Sequence, residues 1–65
     1  MILYTIGCPA CIVLETKLKQ KNISFTVETS NFSKLEENNI DNFPVLEVDG
    51  KLMEFGEAKR YIDTL

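Results

Sequence analysis

Two cysteines, Cys8 and Cys11, are the residues of this chain whose type and spacing could do chemistry. They are the only cysteines among 65 residues, and they lie in the segment Gly7-Cys8-Pro9-Ala10-Cys11. In a reducing compartment, a Cys-x-x-Cys pair is typical of redox or metal chemistry and seldom of a structural cross-link. Thiol–disulfide exchange needs one thiolate that attacks a disulfide sulfur and a second thiol that resolves the mixed disulfide. The spacing therefore predicts a dithiol exchange site.

A metal site is the main alternative for such a pair. A zinc ion normally takes four protein ligands in a structural site, and this chain has two cysteines and no histidine. We therefore assign no metal-ligating residue to a single chain, although a dimer that shares four cysteines could bind zinc or an iron–sulfur cluster. A buried structural thiol pair is a third interpretation, but a cysteine that follows glycine at a helix start is expected to be exposed.

The elements around the cysteines place them where a strand ends and a helix begins. Residues 2–6 are an almost continuous apolar run, which predicts a strand buried on both faces. Pro9 is suited to the first helical position, and helix formers without Gly or Pro follow it. Cys8 then lies at the helix start, where unpaired N–H groups stabilise a thiolate. We assign Cys8 as the nucleophile and Cys11, one turn further in and facing the core, as the resolving thiol.

The rest of the chain predicts three more strands and two more helices. These are a strand over 23–28 after a stop at Asn22, a helix from a Ser33 capping box to about Asn39, strands over 45–48 and 51–54, and a helix over 57–64. Asp49-Gly50 between two apolar runs is a strong hairpin signal. Strand, helix and strand at the start form a βαβ unit, so its two strands should be parallel. The predicted order is βαβαββα, an α/β fold with a mixed sheet, in a single domain over residues 1–65.

Ile12 and Val13 follow the second cysteine on the predicted helix. Apolar helix residues are usually buried, so we expect both in the core. If they are exposed instead, they would form an apolar rim around Cys8 suited to a protein partner.

Composition narrows the class of protein. The chain is 45% hydrophobic and 26% charged, which is typical of a globular protein. Its net charge of −3 argues against a nucleic-acid binder. No signal peptide or membrane span is evident, so we expect a cytoplasmic protein without membrane contact.

Together these features resemble a small dithiol glutaredoxin of the thioredoxin superfamily. The resemblance rests on Leu3-Tyr4-Thr5, Cys8-Pro9-x-Cys11, Phe43-Pro44-Val45 and Asp49-Gly50-Lys51, in order along nearly the whole chain. It implies a minimal thioredoxin fold, in which a parallel and an antiparallel strand pair form one four-stranded mixed sheet flanked by three helices on both faces. It also implies that the peptide bond between Phe43 and Pro44 is cis.

The resemblance implies a thiol–disulfide oxidoreductase that reduces protein or glutathione mixed disulfides and contributes to cell redox homeostasis. In this family the loop of Pro44 faces the nucleophile, and the backbone of Phe43 pairs with an extended thiol substrate. A proline that merely starts a strand is an equally good interpretation of Pro44. The implied catalytic residues are Cys8 and Cys11, and the implied substrate-binding residues are Pro9, Phe43, Pro44, Phe55, Gly56 and Glu57.

The chain departs from the glutathione-binding members of the family in the stretch around Gly56. Those members carry a Gly-Gly pair there, a basic residue before the first cysteine and a tyrosine between the cysteines, where this chain has Ala10. Glu57 could bind the amino group of glutathione, although a favourable charge in the first turn of a helix is the preferred interpretation.

These departures leave the electron donor open. The expected partners of a monomer are disulfide-containing proteins, together with glutathione as a co-substrate or a flavoprotein reductase, and no bound cofactor is expected. Phe55-Gly56 is also similar to glutaredoxin-like hydrogen donors of ribonucleotide reductase, which are recharged by thioredoxin reductase. The alternative of another class is the dimeric metal or iron–sulfur cluster carrier.

Overall fold

The computed structural model describes all residues from 1 to 65 and contains four strands and three helices in the predicted order. The elements are β1 Ile2–Tyr4, α1 Pro9–Gln20, β2 Thr26–Glu28, α2 Ser33–Glu37, β3 Val45–Val48, β4 Lys51–Glu54 and α3 Phe55–Asp63. No helix has both the length and the apolar character needed to cross a membrane.

The four strands form one open, mixed sheet in the order β2-β1-β3-β4. β1 pairs in parallel with β2, with Leu3 opposite Val27, as the βαβ pattern predicts. β1 also pairs antiparallel with β3, which in turn pairs antiparallel with β4. β1 is therefore an inner strand, hydrogen-bonded on both edges.

The core is divided between the two faces of the sheet. One cluster joins α1 and α3 to the sheet through Leu3, Leu14, Leu18, Leu46, Met53, Ala58 and Ile62, all of them buried. On the opposite face, Leu35 of α2 packs with Tyr4 and Val45. Side chains alternate across a strand, so neighbouring residues such as Leu3 and Tyr4 serve different clusters. The expected α/β architecture with helices on both faces of a mixed sheet is confirmed.

Turn residues behave as their chemistry predicts. Asp49 and Gly50 connect β3 to β4 with φ angles of 50° and 83°, the positive values that a two-residue hairpin turn requires. Asn22 follows α1 with a φ of 56°, so the predicted left-handed stop is confirmed.

Both strands of the βαβ unit are shorter than predicted. β1 ends at Tyr4 and not at Ile6, and β2 begins at Thr26 and not at Ile23. Thr26 already pairs with the first residue of β1, Ile2, so residues before it have no strand beside them. Ile23 nevertheless packs against the larger core cluster, which explains its apolar character.

The predicted capping box of α2 is wrong. Ser33 is the first helical residue, Phe32 is the N-cap, and no side chain caps the helix at Phe32. Asn31 takes over part of this role, because its Oδ1 accepts hydrogen bonds from the backbone nitrogen and the hydroxyl of Ser33 at 3.2 and 2.7 Å. The helix ends at Glu37, about two residues before the predicted end.

Candidate functional site

Cys8 is the N-cap residue of α1, and Pro9 is its first helical residue, as predicted. The carbonyl of Cys8 accepts a hydrogen bond from the N–H of Ile12 at 3.0 Å. Its Sγ accepts a second hydrogen bond from the N–H of Cys11 at 3.1 Å. The sulfur thus takes the position of a capping oxygen, against one of the N–H groups that the first helical turn leaves unpaired.

Cys8 and Cys11 form a disulfide, with their Cα atoms 5.0 Å apart. Residues three apart on a helix lie on the same side, which makes this bridge easy to close. Cys8 is half-buried, whereas Cys11 has only 1% of its surface exposed. Cys8 is therefore the more accessible of the two residues.

The loop from β1 to Cys8 is held by Thr5. Thr5 is buried, and its N–H donates to the carbonyl of Glu28 at 3.0 Å. Its Oγ1 accepts a hydrogen bond from the N–H of Gly7 at 3.1 Å. Gly7 has a φ of 77°, a conformation that L side chains rarely adopt. This turn ends β1 early and directs the chain into α1.

Strand register brings the predicted site residues to one end of the sheet. Tyr4, the last residue of β1, lies opposite Val45, the first residue of β3, and Val45 lies opposite Glu54, the last residue of β4. The segment leading to Cys8 leaves this end, which we call the cysteine end of the sheet. The predicted residues that lie next to strands at the same end are Phe43, Pro44, Phe55, Gly56 and Glu57.

Pro44 directly precedes β3, and the bond between Phe43 and Pro44 is cis, as the resemblance implies. Pro44 is buried. The Phe43 ring packs edge-on against Phe32, with centroids 4.7 Å apart, on the α2 face. Neither the N–H nor the C=O of Phe43 forms a backbone–backbone hydrogen bond. The N–H and C=O of Phe43 are therefore both available for hydrogen bonding beside the cysteine end.

Gly56 does not separate β4 from α3. Glu54 is both the last residue of β4 and the N-cap of α3, with an extended backbone, and Phe55 is already helical. The predicted start of this helix at Glu57 is therefore two residues late. Glu57 lies in the first turn, and its carboxylate forms an exposed ion pair with Lys51 at 2.8 Å. Phe55 packs against the larger core cluster.

Ile12 and Val13 are exposed, so their expected place in the core is wrong. Ile12 has 57% and Val13 39% of its surface exposed, and Ile6 before the cysteines has 60%. The helix face that α3 and the sheet cover is the one that carries Leu14 and Leu18, both buried. We call Ile6, Ile12 and Val13 the apolar rim of the site.

A buried polar cluster on the α2 face of the sheet was not predicted from the sequence. Glu47 in β3 is only 8% exposed. Its Oε1 accepts a hydrogen bond from the hydroxyl of Tyr4 at 2.8 Å, and its Oε2 accepts one from Nζ of Lys34 at 2.5 Å. Burial, followed by the bond to Glu47, raises the pKa of Tyr4 to about 12. The hydrogen bond from Lys34 lowers the pKa of Glu47 despite burial.

The cluster borders a cleft of about 390 Å³ between α2 and the strands β1 and β2. The lining residues are Ile2, Tyr4, Glu28, Asn31, Ser33, Lys34 and Glu37. The backbone N–H groups of Asn31 and Ser30 hydrogen-bond to Glu28 and lower its pKa. A lone carboxylate inside an otherwise apolar strand, Glu47 between Leu46 and Val48, was the one sequence signal for this cluster.

No protein-family model, curated protein or solved structure matches this chain.

Proposed function

We propose that this chain is a thiol–disulfide oxidoreductase of the glutaredoxin type with a minimal thioredoxin-like fold. The observation that carries the proposal is the difference between the two cysteines. Cys8 is accessible at the N-cap of α1, while Cys11 is buried one turn into the same helix. One thiol can meet a substrate, and the other is protected until it is needed.

The reaction begins with both cysteines reduced. The Cys8 thiolate attacks one sulfur of a substrate disulfide, a mixed disulfide forms, and the other substrate sulfur leaves as a thiolate that takes up a proton. Cys11 then loses its proton and attacks Sγ of Cys8. The second substrate thiol is released, and the disulfide between Cys8 and Cys11 forms. Two electrons and two protons have passed from the dithiol to the substrate.

The helix start supports the nucleophile in this reaction. The N–H of Cys11 points at Sγ of Cys8 at 3.1 Å, and an N–H donor in the first turn of a helix favours negative charge. A thiolate at Cys8 would receive the same hydrogen bond. Such a contact raises the fraction of Cys8 that is present as thiolate, the form that attacks the substrate disulfide.

Phe43 and Pro44 are proposed to hold the substrate chain. The free N–H and C=O of Phe43 suit an extended segment that pairs with them as a short strand. Pro9, Phe55, Gly56 and Glu57 remain proposed contributors from the two helix starts at this end of the sheet. No organic cofactor is needed, because the disulfide itself carries the two electrons.

The test is a turnover assay with the reduced chain and hydroxyethyl disulfide as substrate. Electrons are supplied either by glutathione with its reductase or by thioredoxin reductase, both at the expense of NADPH. Turnover with either source supports the proposal, and the source that works identifies the electron donor. Cys8→Ser should abolish turnover with either source. In a single turnover of the reduced chain without added thiol, Cys11→Ser should stop after the first mixed disulfide and accumulate it.

A second measurement distinguishes a catalytic oxidoreductase from a dimeric carrier of a metal or an iron–sulfur cluster. Protein purified without oxygen is analysed for iron, sulfide and zinc and for its absorption spectrum. A stoichiometric cluster in a dimer, with no disulfide reduction by the reduced chain, would overturn the proposal.

A further inference from the structure

Exposed apolar side chains are concentrated around the cysteine pair. Five large hydrophobic residues of the chain are well exposed, and three of them, Ile6, Ile12 and Val13, form the apolar rim within five residues of Cys8. Ile12 lies one helical turn after Cys8, on the same side of α1. An apolar patch beside an accessible reactive group is typical of an interaction site.

This surface also lacks charge. No residue from Met1 to Leu14 has a charged side chain, although more than a quarter of the whole chain is charged. At the cysteine end, Glu54 accepts a hydrogen bond from Asn42 at 3.0 Å, and Glu57 is paired with Lys51. Both of these carboxylates at the cysteine end thus already have partners inside the chain.

Glutathione is a poor match for such a surface. It carries two carboxylates and one ammonium group, so cationic side chains beside the site would favour its binding. The apolar rim has no charged side chain, and the net charge of −3 disfavours the binding of a small anion. A protein segment with apolar side chains next to its cysteine would instead cover the rim and exclude water from it.

We propose that the preferred substrates of Cys8 are protein disulfides whose cysteine is flanked by apolar side chains, and that the apolar rim selects them over glutathione mixed disulfides. This inference rests on the proposed exchange reaction and names its substrate class. The substrate cysteine presents its sulfur to Cys8 while its neighbours cover Ile6 and Ile12. The bonds that form and break, and the two-electron transfer, are those of the proposed reaction.

Three mixed disulfides of 2-mercaptoethanol test this selection. One carries a short peptide with Leu and Val beside its cysteine, a second carries the same peptide with Ser in both places, and the third carries glutathione. The chain is reduced with dithiothreitol and desalted, and release of 2-mercaptoethanol is followed in a single turnover. We expect the Leu/Val peptide to react about tenfold faster than the Ser peptide and glutathione, a typical size for burial of one or two apolar contacts.

The variants Ile6→Ser and Ile12→Ser should bring the ratio of these rates close to one. Leu65→Ser is the matched control, since Leu65 is 53% exposed and its carbonyl is held by Lys21 at the far end of α1, roughly 18 Å from Cys8 along a 12-residue helix. This variant should keep the wild-type ratio.

The two proposals fail in different ways. If the wild-type chain reduces hydroxyethyl disulfide but handles all three mixed disulfides at equal rates, or prefers glutathione, the substrate inference is wrong and the exchange reaction stands. If it reduces none of the disulfides, both are wrong.

Discussion

The sulfur of Cys8 accepts a hydrogen bond from the backbone nitrogen of Cys11, three residues further along, at 3.1 Å. The residue that is proposed to resolve the mixed disulfide thus also supplies a donor to the nucleophile. This donor belongs to the backbone, so it persists when the side chain of Cys11 is replaced. Nucleophile support and resolution can therefore be separated by mutation.

The two thiols of the reduced chain should differ in their reaction with iodoacetamide. Cys8 is half-buried and Cys11 is 1% exposed, so we expect alkylation at Cys8 first and at Cys11 only after unfolding. Peptide mass spectrometry of briefly treated protein measures the ratio. Faster labelling of Cys11 in the folded chain would reverse the assigned roles. The Cys11→Ser variant, which keeps the backbone donor, should label at Cys8 at a rate close to that of the wild type.

Removal of the Tyr4 hydroxyl should destabilise the chain. Tyr4→Phe leaves Oε1 of the buried Glu47 without its 2.8 Å donor, and an unsatisfied buried polar atom costs about 1–3 kcal/mol. Urea unfolding of the reduced protein measures the change. Tyr61→Phe is the control, because the Tyr61 hydroxyl forms no hydrogen bond in the structure, and its effect should stay within about 0.5 kcal/mol. Equal losses in the two variants would show that the Tyr4 bond contributes nothing.

Acid should weaken the fold through Glu47. The pKa of Glu47 is lowered in the folded chain, chiefly by the hydrogen bond from Lys34. The ionised carboxylate therefore contributes fully to the free energy of unfolding above the ordinary pKa of 4.5. This contribution is lost as the pH falls through the lowered pKa. Glu47→Gln should therefore flatten the fall in unfolding free energy below pH 4.5. Glu28 and Asp63, whose pKa values are also lowered by hydrogen bonds, leave a residual slope. Asp41→Asn is the charge-matched control.

High pH should also destabilise the chain, through ionisation of Tyr4 in the same cluster. The pKa of Tyr4 is raised to about 12 by burial and by Glu47, so the folded state holds its proton where an unfolded tyrosine has lost it. The contribution of the protonated Tyr4 hydroxyl to the free energy of unfolding is complete below pH 10 and is lost as the pH rises towards 12. Ultraviolet titration of the tyrosinate in the Tyr61→Phe background measures this pKa directly. Ionisation of Tyr4 at its ordinary value in the folded chain would contradict the buried bond.

The same substitution at two glycines should have opposite effects. Gly7 has a φ of 77°, so Gly7→Ala should cost about 1–2 kcal/mol and disturb the turn before Cys8. Gly56 lies in the first turn of α3, and a Cβ there would only meet Arg60 Nη1 at 3.8 Å. Gly56→Ala should stabilise the chain by about 0.4–1 kcal/mol, because it restricts the unfolded state. Thermal unfolding of both variants measures these changes. A lower stability of Gly56→Ala would contradict the helical position of Gly56.

Local chemistry made much of this fold predictable. The hairpin of β3 and β4 matches its predicted bounds because Asp49-Gly50 determines both the turn and the register. The start of α1 is fixed by Pro9 in the same way. These signals act within a few residues and do not depend on what packs around them.

Properties that depend on distant elements could not be read from the sequence. Whether Ile12 faces the core or solvent is decided by where α3 packs on α1, and Ile12 lies outside that contact. Glu47 is buried because α2 covers its face of the sheet and Lys34 reaches it from 13 residues away. The cysteine pair was predictable as a helix-start dithiol, whereas its apolar rim and the polar cluster beside β1 were not.

The bridge between Cys8 and Cys11 closes a ring of only four residues and links no two elements of the fold. A disulfide stabilises a protein by restricting the denatured chain, and this stabilisation grows with the length of the closed loop. For a loop this short it lies at the lower end of the range for disulfides. The disulfide should therefore raise the free energy of unfolding by no more than about 2 kcal/mol relative to the reduced form. No helix or strand is tied to another by this bridge, so the exchange proposed for Cys8 and Cys11 requires no change in how the strands of the sheet pair.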